Sequence, residues 1–244
     1  MDSIKDLKAK LFNIEKQNDD SLLKLAFFLS SPLEDESRQK IAIEVLNKID
    51  QDKKPEAAYR LGLIYFSRDK NENNLKTAYR YFSKAFRNKF ILSYYYIGLY
   101  LKNGTFLKQN KTKAIEYFTK TGYFIPYISY YQIGLIYFSD GMYKKAFAAF
   151  KTSGLQGNQY SFFKLYQFYM NGYLYKKNRS KAYKCLYIAK QLGLNGYEDN
   201  IKKIENLMSE KKLKKIKLSA QLLLVNIFKH VKNNQEISKI LRML

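Results

Sequence analysis

Few side chains of this chain could carry out catalysis. The sequence contains one cysteine, Cys185, and one histidine, His230, and its 21 acidic residues are scattered. A catalytic cysteine needs a nearby base, and a zinc ion needs about four ligands close together; neither pattern is present. There is also no glycine-rich phosphate loop. We therefore expect no catalytic site, no metal and no cofactor. His230 should be exposed on a terminal helix, and Cys185 should lie on the inward side of a helix.

The basic residues offer binding chemistry instead. The formal net charge is +23, and residues 1–54 are nearly neutral, so the excess lies in the remainder of the chain. Near the C-terminus a basic patch is formed by Lys211, Lys212, Lys214, Lys215 and Lys217. Such a patch predicts a partner with an acidic surface or segment. A lysine-rich composition that comes from AT-rich coding would give the same charge without any partner, and the sequence leaves both explanations open.

The cysteine count and the N-terminus indicate a compartment. A single cysteine forms no disulfide within the chain, which favours a reducing compartment. The N-terminal residues include charges at Asp2, Lys5 and Lys8, so no apolar core of a signal peptide fits among them. The longest apolar runs are far shorter than the ~20 residues that span a bilayer. We expect a cytoplasmic protein without a transmembrane segment; export as an effector by a signal-less route is the alternative.

Two series of positions, most of them held by small residues, recur along the chain in register, and we call the residues of the first series anchors. The first series consists of Gly62, Gly98, Gly134 and Tyr166, and the second of Ala78, Ala114, Ala146 and Ala182. The spacing within each series is 36 residues, except for one step of 32 in the third unit. One step earlier, Ala26 and Ala42 hold the equivalent positions. Five units in register predict a repeat array in which each unit is a pair of packed helices.

Local signals agree with two helices in each unit. Glycine in a helix costs roughly 1 kcal/mol relative to alanine, so its recurrence indicates that a neighbouring helix must approach closely. The second helices are predicted to begin at an asparagine four residues before the alanine, namely Asn74, Asn110 and Asn178. Asp140 and Gly141 predict a tight turn in the shorter third unit.

The pattern resembles the SEL-one-like repeat family, which is related to the tetratricopeptide repeats. Ala57, Leu61, Gly62 and Tyr65 match the first part of the family pattern. Later positions match as well: Asn103, Gly104, Asn171 and Gly172 in the loop, the lysine–alanine pairs at Ala114, Ala146 and Ala182, and the late glycines Gly157 and Gly193. The fourth match departs from the pattern at Tyr166, where the family has glycine. The resemblance implies a non-catalytic adaptor or scaffold.

The fold predicted from the repeats is all-α: a right-handed α-solenoid of about five helix-pair repeats with helical caps at both ends. We expect residues 1–19 to form an N-terminal capping helix and residues 20–193 to form the five repeats. Residues 194–244 are predicted to be a basic C-terminal cap or extension. About eleven to fourteen helices should result.

A stripe of large side chains on the first helices is the candidate partner-binding surface. Residues three before and one after each anchor share a helix face: Tyr59, Leu63, Tyr95, Leu99, Tyr131, Leu135, Phe163 and Gln167. Tyrosine and phenylalanine give a large contact area with few rotatable bonds, which suits a binding groove on the concave side. The same side chains could instead pack between units, and the sequence does not decide between the two.

The C-terminal segment carries more apolar residues than a one-sided cap needs, among them Leu222, Leu223, Val225 and Phe228. The surplus predicts a fold-back cap or a homodimer contact, an anionic protein partner, or an anionic lipid surface.

For the whole chain, the first function hypothesis is a protein–protein interaction scaffold. The alternatives are a basic solenoid that binds nucleic acid or an anionic surface, and an immunity protein that neutralises a toxin. Nucleic acid is not favoured, because the repeated positions are aromatic or aliphatic rather than polar.

Overall fold

The computed structural model describes residues 18–30, 36–69 and 71–241. These residues form twelve α-helices and no β-strand. The chain divides into two compact units, residues 1–110 and residues 111–244, and each is described by itself. The predicted all-α fold is confirmed, as is the predicted range of helix number for the described part of the chain. The proposed helix within residues 1–19 lies almost entirely outside the described residues.

The first unit contains two complete helix pairs and one further helix. Its helices are α1 (Asp19–Leu29), α2 (Glu36–Lys48), α3 (Pro55–Ser67), α4 (Glu72–Arg87) and α5 (Ser93–Asn103). α1 packs on α2, α3 packs on both α2 and α4, and α4 packs on α5. Each helix therefore contacts the helices that precede and follow it, as expected for stacked repeats.

The second unit continues the alternation and ends with a long helix. Its helices are α6 (Lys111–Thr121), α7 (Pro126–Ser139), α8 (Tyr143–Leu155), α9 (Gln159–Asn171), α10 (Arg179–Gln191), α11 (Glu198–Glu205) and α12 (Glu210–Leu241). α7 packs on α6 and α8, α9 on α8 and α10, and α10 on α11 and α12. We call α1, α3, α5, α7 and α9 the first helices of their pairs, and α2, α4, α6, α8 and α10 the second helices.

In two of the pairs a phenylalanine of the second helix occupies the space left by a glycine of the first. A Cβ on Gly62 would lie 2.6 Å from the ring of Phe82, and a Cβ on Gly134 would lie 2.6 Å from the ring of Phe150. Both rings are completely buried. The recurring glycine is therefore a packing requirement, because any other residue would collide with the aromatic ring.

The pairs without glycine carry a smaller side chain opposite. In the first unit Ala26 replaces the glycine, and Leu46 of the same core cluster replaces the phenylalanine. In the second unit Tyr166 replaces the glycine and packs against a cluster that contains Leu186 at the phenylalanine position. The alanine–leucine pair is about as large as a glycine–phenylalanine pair, whereas the tyrosine–leucine pair is larger. The last repeat accommodates Tyr166 with its side chain only half-buried.

Hydroxyl groups join consecutive pairs within the second unit. Thr121 Oγ1 and Ser129 Oγ, at the end of α6 and in α7, lie 2.8 Å apart. Ser161 Oγ in α9 donates to Ser153 Oγ in α8 over 2.7 Å. All four residues are completely buried. In both contacts the two hydroxyls lie eight residues apart in the chain. Ser129 in α7 and Ser161 in α9 therefore satisfy the buried hydroxyl of the preceding helix and also let that helix approach closely.

The helix starts agree only partly with the sequence prediction. Asn178 caps α10, since its Oδ1 accepts from the backbone N–H of Lys181 over 2.9 Å. The prediction for Asn74 is wrong: Asn71 is the cap of α4, and its Oδ1 accepts from the N–H of Asn74 over 2.8 Å. Asn74 is free to turn its own amide to the carbonyl of Asp69 because Asn71 already satisfies the helix terminus. The turn at Asp140 and Gly141 is confirmed, with φ of +71° at Gly141.

Gly62→Ala should destabilise the protein, by up to about 2 kcal/mol, although alanine has the higher helix propensity. Overpacking a core typically costs 1–3 kcal/mol, and the propensity gain is roughly 1 kcal/mol. Phe82→Leu should restore part of the stability in the double variant. Urea unfolding followed by circular dichroism measures the three free energies of unfolding.

The control for helix propensity is Asn226→Ala, at an exposed position of α12. This change adds alanine without a collision and should be neutral or slightly stabilising. A Gly62→Ala variant as stable as the wild type would show that the ring of Phe82 moves aside at no cost, and the packing requirement would be wrong.

Candidate functional site

The first helices α3, α5, α7 and α9 are shielded along their middle sections, whereas α1 exposes Phe27 and Phe28. No residue within 55–66, 93–102, 128–138 or 161–170 is fully exposed, whereas the second helices show lysines to solvent, such as Lys144, Lys145 and Lys151 on α8. A helix whose two sides are covered by neighbours keeps only a narrow strip for contact with other molecules. The candidate partner-binding surface must therefore consist of half-exposed side chains of this strip or of exposed residues at the helix ends.

In the first unit the predicted stripe residues are largely used for packing. The ring of Tyr59 lies 5.0 Å from that of Phe90 and 5.9 Å from those of Phe82 and Tyr96, measured between centroids. Tyr95 is buried, with 8% of its surface exposed. Leu63 and Leu99 are half-buried. Within this unit Tyr59 thus joins adjacent helices and Tyr95 is buried, so only the two leucines and part of Tyr59 reach the surface.

In the second unit the stripe residues Tyr131, Leu135, Phe163 and Gln167 are all half-buried. The ring of Tyr131 packs on Phe150, and the ring of Phe163 lies 4.4 Å from that of Tyr197. Desolvation by burial raises the pKa of the Tyr131 hydroxyl above its ordinary value. These side chains have one face in the core and one face toward solvent.

Two exposed tyrosines extend the stripe in the second unit, and the sequence did not single them out. Tyr160 is 51% exposed and its ring lies 6.2 Å from that of Tyr131. Tyr127, one turn before Tyr131 on α7, is 45% exposed. We call Tyr127, Tyr131 and Tyr160 the tyrosine cluster. No other repeat has tyrosine at the positions of Tyr127 and Tyr160, so the repeat pattern gave no signal for either.

The backbone beneath the tyrosine cluster is held by several hydrogen bonds. The carbonyl of Tyr127 accepts from Ser153 Oγ and, over 2.8 Å, from Asn158 Nδ2. Oδ1 of the same asparagine accepts from the N–H of Ser161 over 2.9 Å and so caps α9. The starts of α7 and α9 are thereby fixed relative to each other, and the exposed rings stand on a rigid base, which lowers the entropy cost of binding.

The basic patch is only partly free. Lys211, Lys212, Lys214 and Lys215 are exposed on α12, whereas Lys217 Nζ pairs with Glu205 Oε1 over 3.0 Å. The hydroxyl of the buried Tyr183 donates to the same carboxylate over 2.6 Å. This hydrogen bond, together with Lys217, holds the pKa of Glu205 below its ordinary value, and burial raises that of Tyr183. Lys217 therefore attaches α12 to α10 and α11.

α12 has two apolar sides. Ala220, Leu224 and Ile227 belong to a core cluster that also contains residues of α8, α9 and α10. A Cβ on Gly157, in the turn between α8 and α9, would lie 2.9 Å from Val231 Cγ2. Four further large apolar residues of the helix are exposed: Leu218, Leu222, Val225 and Phe228. The first side packs on the repeats, and the second has no covering group within the described residues.

The remaining chemical candidates are Cys185, His230 and any cluster of metal-binding side chains. Cys185 is buried and unpaired, and desolvation raises the pKa of its thiol to about 12. His230 is exposed on α12. Across residues 18–30, 36–69 and 71–241, no group of three or more histidine, cysteine, aspartate or glutamate side chains is placed to hold a metal ion. None of the helices in that part of the chain has the length and apolarity to cross a membrane.

Comparisons with known proteins identify the repeats. The family model of the Sel1 repeat matches residues 55–89, 91–121 and 163–194. These segments correspond to α3 with α4, α5 with α6, and most of α9 with α10. The resemblance of the chain to the SEL-one-like repeat family is confirmed by these three matches. No curated protein matches the chain in sequence.

Two solved structures are similar in fold. The crystal structure of c5321, a protective antigen present in uropathogenic Escherichia coli strains that displays an SLR fold, has a TM-score of 0.71 and 17% identity. The similarity covers 91% of this chain and 49% of that one, so the chain spans about half the length of c5321. A Sel1 repeat protein from Oxalobacter formigenes has a TM-score of 0.54 and 19% identity over 72% of this chain and 71% of its own. The α-solenoid fold class is confirmed.

Cys185 should react with a thiol reagent only after unfolding. Its raised pKa leaves the thiol protonated near neutral pH, and burial excludes the reagent. In native protein at about pH 8 we expect almost no colour from Ellman's reagent, and in denaturant one thiol per chain. Rapid reaction of the native protein would contradict the buried position.

The same thiol should make stability depend on alkaline pH. Its pKa rises from 9.0 in the unfolded chain to about 12 in the fold, so the fold holds the proton more tightly. This contribution is fully present below pH 9 and is lost as the pH rises toward about 12. Relative to Cys185→Ala, the wild type should lose free energy of unfolding over that interval. A constant difference between the two proteins would contradict the shift.

Proposed function

We propose that this chain is a non-catalytic scaffold that binds a segment of another protein along the first helices of its repeats. Sel1 repeat proteins generally serve as protein–protein interaction scaffolds. The observation that supports a specific surface is the tyrosine cluster of the second unit, in which Tyr127 and Tyr160 are exposed and Tyr131 is half-buried.

The chemistry of this cluster suits partner recognition. Each ring offers a wide apolar face and a hydroxyl that can donate or accept one hydrogen bond, and a tyrosine loses few rotamers when it is bound. Leu135 and Phe163 continue the apolar strip on the same helices, both half-buried. A partner segment with one or two apolar anchors could bury these faces while its backbone bonds to the hydroxyls.

The charge of the chain bears on the partner. With a formal net charge of +23, acidic residues beside the apolar anchors of the partner would speed association and favour the correct orientation. We include an acidic protein segment in the proposal for this reason. A reducing, cytoplasmic location, which the single unpaired cysteine favours, also belongs to the proposal.

The domain organisation that we propose follows the sequence boundaries. Residues 20–193 would form the five repeats, and residues 194–244 would cover the end of the array. The packing of α11 and α12 on α10 supports this division, because a terminal repeat otherwise leaves an apolar face open to water. The proposed N-terminal cap within residues 1–19 lies almost wholly outside the described residues.

The double variant Tyr127→Ala and Tyr160→Ala should lose partner binding but keep its fold. Truncation of exposed side chains usually changes stability by about 0.5 kcal/mol or less, whereas a tyrosine hot spot contributes 2 kcal/mol or more to binding. Partners captured from the native lysate by the wild type would be identified, and their affinities for both proteins measured by calorimetry. We expect at least a roughly 30-fold weaker affinity.

The matched control is Met142→Ala and Leu155→Ala, which removes two exposed apolar residues of the same unit outside the tyrosine cluster. This variant should bind like the wild type. Equal affinities of the tyrosine variant and the control for every captured partner would exclude the cluster as the binding surface.

Salt dependence separates this proposal from binding to nucleic acid. An aromatic surface should lose little affinity between low and physiological salt, whereas phosphate contacts weaken steeply with salt concentration. A partner that proves to be nucleic acid, with a steep salt dependence and no effect of the tyrosine variant, would replace the proposal.

A further inference from the structure

The outer face of α12 combines exposed apolar and basic side chains on one side of a single helix. Leu218, Leu222 and Val225 follow one another at spacings of four and three residues, and Phe228 adjoins them. Leu222 is 63% and Phe228 51% exposed. The buried residues Ala220, Leu224 and Ile227 lie on the opposite side of the helix. We call the exposed side, from residue 211 to residue 232, the outer face.

Lysines lie at both ends of the apolar stripe. At a rotation of 100° per residue, Lys211, Lys214 and Lys215 project to the outer face before Leu218, and Lys229 and Lys232 project there after Val225. All five are exposed, and none of them forms an ion pair with a described residue. The outer face therefore carries an uncompensated positive charge around an apolar centre.

The helix that carries this face is attached to the repeats. Lys217 pairs with Glu205, and Lys184 Nζ donates to Ser219 Oγ over 2.7 Å. Further along, Val231 and Ile227 contact the turn at Gly157. The outer face is therefore presented by a helix whose inner side is already bound, and it needs no unfolding or refolding to become accessible.

We infer that the outer face of α12 binds the surface of an anionic lipid bilayer, with the helix lying in the plane of the interface. A bilayer places an apolar interior directly beneath a layer of negative headgroups, so it can receive the four apolar side chains while the headgroups neutralise the lysines. A convex face formed by one helix suits a fluid surface that deforms around it. This binding is separate from the proposed scaffold function.

Charge argues against a second copy of the chain as the occupant. In a symmetric dimer through this face, parallel or antiparallel, lysines of one chain would approach lysines of the other. Between residues 211 and 232 this face has no acidic side chain. Like charges across an interface oppose association, so the apolar stripe is poorly suited to self-association.

The probe is vesicles of phosphatidylcholine, either pure or with about one third phosphatidylserine, in a co-sedimentation assay at physiological salt. The chain has no tryptophan, so Leu222→Trp introduces a single reporter on the outer face. We expect binding to the anionic vesicles only. The tryptophan emission should shift to shorter wavelength on binding, because the side chain enters the apolar layer.

Three variants separate the contributions. An apolar variant, Leu222→Gln with Phe228→Gln, should lower the vesicle affinity at least about tenfold through loss of buried apolar area. A charge variant replaces Lys211, Lys212, Lys214 and Lys215 by glutamine and should lose roughly fivefold for each lysine near the surface. A control variant changes Lys144, Lys151, Lys176 and Lys177 to glutamine; it has the same net charge as the charge variant and should bind almost like the wild type.

The outcomes are distinct. Selective binding to anionic vesicles with an emission shift, reduced in the apolar and charge variants and retained in the control, supports the inference. It is overturned by absence of vesicle binding, by equal loss in the charge and control variants, or by an apolar variant that binds like the wild type. A wild-type dimer that the apolar variant converts to monomers would assign the face to a second copy, and this would overturn it too. Circular dichroism confirms that each variant is folded.

Discussion

Close approach of the two helices in the pairs α1–α2, α3–α4, α7–α8 and α9–α10 is the constraint on which the rest of the structure depends. The side chains that face each other across a pair must be complementary in size. Where the first helix has glycine, at Gly62 and Gly134, the ring of a buried phenylalanine fills the space that a Cβ would take. Where the first helix has a larger residue, at Ala26 and Tyr166, the opposing side chain is a leucine. The spacing of the helices, and with it the direction in which the first helices point their remaining side chains, follows from this match.

The functional surfaces that we propose are the parts of the repeats that this packing leaves uncovered. Neighbouring helices flank the first helices. The aromatic side chains of the first helices are buried where a neighbour covers them, as Tyr95 is, and are accessible to a partner only where none does. In the second unit the tyrosine cluster is such an accessible site. Hydrogen bonds from Ser153 and Asn158 to the carbonyl of Tyr127 hold the backbone beneath it. In α12, too, one side is buried and the other is left exposed. Its inner side covers the last repeats, and its outer side keeps lysines and apolar residues in solvent.

The repeat register could be predicted from the sequence because a packing requirement that recurs leaves a recurring residue. The glycines and the alanines belong to this class, and the inward position of Cys185 could be predicted because it follows Ala182 by three residues. Features that occur once could not be predicted in this way: Tyr127 and Tyr160 have no counterparts in other repeats. The prediction for α4 was wrong because Asn71, Asn73 and Asn74 all lie at its start, and only the geometry identifies Asn71 as the cap. The apolar surplus of α12 was visible in the sequence, but which residues face the repeats depends on how the helix is rotated, and contacts such as that of Val231 with Gly157 fix this rotation.

The most direct test of this size complementarity is to change Tyr166 and Leu186 of the last repeat to the glycine and phenylalanine found in other repeats. Leu186→Phe alone should collide with Tyr166 and cost about 1–3 kcal/mol, and Tyr166→Gly alone should leave a cavity with a larger cost. The double variant recreates the glycine–phenylalanine pairs Gly62–Phe82 and Gly134–Phe150, so its loss of free energy of unfolding should be smaller than the sum by at least about 1 kcal/mol. Urea unfolding of the four proteins measures this coupling. Additive losses, within about 0.5 kcal/mol, would contradict the claim that the two positions are matched.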